Sequence, residues 1–144
     1  MRKEEYKMTE PKDAVAPIVY ADIQAYLDAI ADKATNDIAN SPHKRFWQVP
    51  YATFINGTIP GGVKSSGPPI PVGQPIPIID KANPINSAFF AILTGKFAGK
   101  RQMPGGGPLI TDQGYQVTVG DKTVTGQQIQ TNITSWLNNG FPEK

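Results

Sequence analysis

Few residues in this chain are equipped for chemistry. The only histidine, His43, sits in IANSPHKRFW, between a predicted helix end and the aromatic pair Phe46-Trp47. An imidazole can act as a general base, a metal ligand or a haem ligand, so its surroundings must decide. Met103 lies in the glycine-rich run MPGGGP, and a thioether either fills a core or serves as an axial haem ligand. Asp22, Asp28, Asp32 and Asp37 fall on one predicted helix, spread around its polar side. That spacing predicts a solvated face, because an acidic metal site needs carboxylates converging from several elements. With no cysteine, disulfides, zinc ribbons, thiol nucleophiles and covalent c-type haem attachment are excluded. A Ser-His-Asp triad would have to use His43, and no serine stands on a nucleophile elbow. MPGGGP neither follows an apolar strand nor has phosphate-binding spacing. A non-enzymatic role is the expectation.

The elements that would hold these residues follow from apolar spacing. Residues 1–17 are polar and aperiodic and read as a flexible arm, with one domain expected over 18–144. From Tyr20, the apolar residues Ile23, Tyr26, Leu27, Ile30, Ala34 and Ile38 recur at steps of three and four, which predicts a helix ending near Asn40 before Pro42. Tyr51, Phe54 and Ile55 predict a short helix after Pro50, with Gly57 as its terminator. Residues 58–79 carry too many prolines for a ladder and read as an extended, packed loop. NPINSAFFAILTG predicts a helix burying Phe89, Phe90, Ile92 and Leu93. YQVTVGDKTVTG alternates around Gly120-Asp121, as a two-residue hairpin would. The last helix, Gly126 to Asn139, takes Thr125 as N-cap and stops at Gly140 and Pro142.

The 144 residues, 39% of them hydrophobic, suffice for one core, while fourteen Gly and fourteen Pro require much loop. Lys96, Lys100 and Arg101 form the one basic cluster in a chain of net charge +2, too little for a nucleic-acid surface. No apolar run approaches membrane-spanning length and the charged start has no h-region, so a cytoplasmic protein is expected, without membrane or nucleic-acid partners.

Three segments taken together, SAFFAILTGK, MPGGGPLI and the terminal I-x-x-W-L-N-N-G-F-P, resemble the C-terminal half of cytochrome c-like domains. There a helix leads to a Met-Pro loop whose methionine is the sixth haem ligand, and a final helix reads I-x-x-W-I-x-x-G. The resemblance covers roughly residues 20–142 and implies a mainly α, cytochrome c-like helical domain with long Pro/Gly loops. A small hairpin near 115–125 is a departure from that pattern. It aligns Ala39-Asn40-Ser41-Pro42-His43 with C-x-x-C-H, so the histidine is kept and both thiols are lost. Haem-free, cytochrome c-like bacterial proteins share the Met-Pro-Gly loop.

Under the favoured reading, no cofactor is bound and Phe46, Trp47, Phe89, Phe90, Pro104, Trp136 and Met103 serve structure or interaction. The protein is then an accessory or self-associating one, and its resemblance points to an oxidoreductase as a protein partner. The alternative is an electron carrier with non-covalent haem b between His43 and Met103. A mononuclear copper or similar metal site using His43, Met103 and a carboxylate ranks below it, because one imidazole is a poor anchor.

Overall fold

The computed structural model describes residues 17–34, 45–59, 75–95, 102–104 and 107–144. Among them run α1 (Tyr20–Lys33), α2 (Tyr51–Asn56), a 3-10 turn (Pro84–Asn86), α3 (Ala88–Thr94), the antiparallel pair β1 (Gln116–Val119) and β2 (Lys122–Thr125), and α4 (Gly126–Asn138). The arm at 1–16, the basic cluster and His43 lie outside the described residues.

The expected fold class needs correction. Helix accounts for 45% of the described residues, and α2 and α3 span only one to two turns each. The expected hairpin is present and packs into the core through Val117 and the preceding Tyr115. The described residues thus form four helices, two of them very short, with a small two-stranded antiparallel sheet packed on the same core, in place of the expected cytochrome c-like helical domain.

Phe54 joins the pieces. Its ring is fully buried and meets Tyr20 of α1 at 5.2 Å, Phe46 at 6.3 Å, Phe89 of α3 at 5.5 Å and Trp136 of α4 at 6.4 Å between centroids. Offset and edge-on ring pairs at such separations add to the burial of apolar area. Gly57 ends α2 in an extended conformation rather than the left-handed one expected of a terminator. What requires glycine there is space, because a Cβ would stand 2.6 Å from the Thr53 carbonyl oxygen.

α1 stops at Lys33, earlier than the sequence predicts, because Ala34 turns to ψ 141°. Thr35, Asn36 and Asp37 follow, residue types whose side chains compete for backbone hydrogen bonds and weaken a helix. The Asp22 carboxylate accepts from the Val19 N–H at 2.9 Å, satisfying the helix start.

The polar side of α1 is a second correction. Tyr20, Gln24, Asp28 and Asp32 recur every four residues and form one stripe that grips the turn at 45–49. Tyr20 Oη and Gln24 Nε2 each donate to the carbonyls of Trp47 and Val49. Asp28 Oδ1 accepts from Trp47 Nε1 at 2.7 Å, Gln48 Nε2 at 2.9 Å and Arg45 Nη1 at 3.3 Å, while Asp32 takes Arg45 Nη2 at 2.8 Å. These aspartates hold the turn against the helix and do not form a merely solvated face.

α4 carries a reciprocal cap, with the Gln128 N–H donating to Thr125 Oγ1 and the Thr125 N–H to Gln128 Oε1. Its far end is a Schellman turn. Gly140 takes φ +86°, its N–H reaches the Leu137 carbonyl, and the Phe141 N–H reaches the Trp136 carbonyl at 2.8 Å. Phe141 packs on Trp136, whose indole donates to the Pro142 carbonyl, and Tyr51 Oη donates to the Phe141 carbonyl.

Two measurements check this arrangement. Asp28→Ala strands three donors and should lower unfolding free energy by about 2 kcal/mol, read from urea midpoints; Asp28→Asn, which keeps an acceptor oxygen, should lose less. An unchanged midpoint for the alanine variant would mean the stripe contributes nothing. Burial pushes the Tyr20 and Tyr115 phenols up to about 12 from 10.0, so folding favours their protonated forms. Their contribution is complete below pH 10 and disappears as pH rises toward 12, so the urea midpoint should fall across that window. Ultraviolet titration should show phenolate from these two later than from a free tyrosine; ionisation of all five tyrosines together near 10 in the folded protein would contradict their burial.

Candidate functional site

The sequence singles out residues that the structure places inside. Trp47, Phe89 and Trp136 are fully buried, Phe46 and Phe90 nearly so, and Pro104 is buried as well. They form core and cannot themselves present a contact surface in this conformation. Met103 is 5% exposed and belongs to the same core.

Its loop has a structural task. A helix leaves its last carbonyls without intrahelical partners, and here the Met103 N–H donates to the Ile92 carbonyl at 2.9 Å. Gln102 Nε2 donates to the Leu93 carbonyl and to Thr111 Oγ1, both at 2.8 Å. The segment therefore caps α3 from a distance, and Ile110 is buried behind it. Of the apolar residues in MPGGGPLI, Met103, Pro104 and Ile110 are buried and Pro108 and Leu109 half-buried. Of the axial pair named in the haem reading, Met103 is in the core and His43 lies outside the described residues. Among the described residues, no three His, Cys, Asp or Glu side chains are grouped as a metal would need.

The surface feature suited to function is one that the sequence does not advertise. A cleft of about 460 Å³ opens between the end of α2, the chain at 76–81 and the turn before α3. Ile76, Ile79 and Ala88 form its buried floor, with Ile55 and Pro77 beside them. Such a volume with apolar walls and few polar groups is typical of binding clefts.

Local chemistry fixes this shape. Thr58 and Pro77 form an antiparallel bridge, with the Ile59 N–H donating to the Ile76 carbonyl at 2.8 Å and the Ile78 N–H to the Gly57 carbonyl at 3.0 Å. The two ends of the proline-rich stretch thus pair with each other and bury Ile59, Ile76 and Ile78, while residues 60–74 lie outside the described set. Ser87, fully buried, accepts from the Asp80 N–H at 3.0 Å and donates to the Pro84 carbonyl at 2.6 Å. Asp80 Oδ1 accepts the N–H groups of Ala82 and Asn83. This locks the 80–87 segment against α3.

Polar groups stand at the rim. Lys81 Nζ donates to Asn56 Oδ1, and Asn86 completes the edge. The hydroxyl of Ser87, which lies between the lining residues Asn86 and Ala88 in the chain, is buried and committed at both its donor and acceptor sides. The lining therefore has the means to bind an apolar group but no nucleophile paired with a base. Ile85, on the 3-10 turn next to Asn86, is 37% exposed and is the exposed large hydrophobic residue among those described. A reader of the sequence could find Ile85 from its place between Pro84 and the helix start, outside the apolar period of α3. The cleft itself combines residues too far apart in sequence to show any period.

No helix among the described residues is long and apolar enough to cross a membrane. Comparison of the chain with protein-family models, curated proteins and solved structures finds no match, so no neighbour assigns this fold to the cytochrome c-like domains.

Proposed function

We propose that this chain is a non-catalytic interaction protein, an accessory or self-associating component, and that the cleft beside Ile85 is its contact surface. The observation that carries this reading is the combination of an isoleucine-floored cleft with an exposed isoleucine on the segment that borders it. Exposed apolar side chains next to a preformed apolar recess supply what a docking surface needs: area to remove from water and a pocket for an anchor. The lock on the 80–87 segment supports the reading, because a surface already held in shape loses little entropy when a partner arrives. A cytoplasmic setting belongs to the same proposal.

The test compares wild-type protein with Ile85→Asp as bait in an extract of the cells that make it, alongside the native mass of each. The substitution is at a surface position and should move the urea midpoint by less than about 0.5 kcal/mol. The expected outcome is a stoichiometric partner, or a self-assembled species, held by wild type and weakened about tenfold or more by the charge. Wild-type protein that stays monomeric and retains nothing the variant loses would overturn the proposal.

A further inference from the structure

The cleft and the exposed isoleucine have a geometric relation that narrows the choice of occupant. Ile85 projects from the 3-10 turn Pro84–Asn86, and Asn86 and Ala88, one and three residues further on, line the recess. Knob and hole therefore lie on the same patch. A patch that carries both halves of a fit is self-complementary, and two copies close it about a twofold axis with each residue used once in each direction. Had the knob been on one side of the molecule and the hole on the other, the same fit would have produced an open chain of copies.

The rim charges obey the same symmetry. Asp80 and Lys81 are neighbours at the cleft edge. Asp80 Oδ1 is occupied by two backbone N–H groups, whereas among the described residues its Oδ2 takes no hydrogen bond and Lys81 Nζ makes one, to Asn56. A carboxylate oxygen and an ammonium side by side, each with bonding capacity left over by the described residues, become two crossed ion pairs when the patch meets its own copy. A partner with a uniformly charged surface would satisfy only one of them.

We infer that the occupant of the cleft is Ile85 of a second copy of this chain, in a twofold dimer flanked by Asp80–Lys81 pairs. This deepens the interaction reading and rests on it, by naming the partner. Removing the knob or charging the hole should each abolish the dimer, and combining the two defects in different copies should restore it.

The experiment uses the full chain, with sedimentation velocity and native mass spectrometry over a concentration series. Wild type should dimerise. Ile85→Asp and Ile55→Lys, each confirmed folded by its urea midpoint, should both be monomeric at concentrations where wild type is paired, a rise in Kd of about a hundredfold. Mixed together they should form a heterodimer, because one interface half then keeps Ile85 on Ile55 and the other gains an Asp–Lys pair. Lys81→Glu should weaken the dimer about tenfold and make its salt dependence change sign. A wild type that is monomeric throughout overturns the inference, and if Ile85 is still needed to hold a different protein, the broader interaction reading survives alone. A dimer that persists in Ile85→Asp, or one that the mixture fails to restore, places self-association on another surface and also overturns it.

Discussion

The contacts of Phe54 hold this fold together. Six residues of helix are too few to persist in water on their own account, yet α2 stands at the centre of the molecule because one of its side chains reaches four different segments. α1, the 45–49 turn, α3 and α4 each contribute one ring to that meeting point. Among the described residues no pair of long helices supplies a continuous seam. Cohesion comes instead from a hub, and the hub is aromatic because only large, rigid side chains cover the distance between elements so short.

Around it, polar groups set the angles. The stripe on α1 shows how a helix face can be hydrophilic and structural together. Tyr20, Gln24, Asp28 and Asp32 place their polar ends where the 45–49 turn has carbonyls and N–H donors to match. Trp47 is thereby buried with its indole N–H satisfied, which a purely apolar surrounding would have made costly.

The sequence was informative about the elements and gave little hold on how they meet. Caps and stops are local, so Thr125, Gly140 and the Gly120-Asp121 turn announce themselves through chemistry confined to a few neighbours. The motifs that carry the resemblance to a cytochrome have local structural tasks here. W-L-x-x-G-F is what a Schellman turn looks like when its closing hydrophobic contact is Trp136 on Phe141. The Met-Pro loop is what remains of a segment that caps the end of α3. The stripe of α1 was visible in its four-residue spacing, but its partners lie 13 to 29 positions away and no local rule names them. The cleft was less legible still, being assembled from 55–57, 76–81 and 86–88 by a single bridge and one buried serine.

One modest bond has a further consequence. The Tyr20 N–H donates to the Pro142 carbonyl at 3.1 Å, so the first turn of α1 and the tail behind α4 are seated side by side. The path from 20 to 142 is almost a closed ring, fastened where it meets itself. A ring of that kind has no privileged place to be opened. New ends cut at the exposed hairpin tip, with a short linker running from just after Pro142 to just before Tyr20, would leave every described element beside the neighbours it has now. The order in which the segments are written along the chain is therefore less essential to this fold than the meeting of their side chains at its centre.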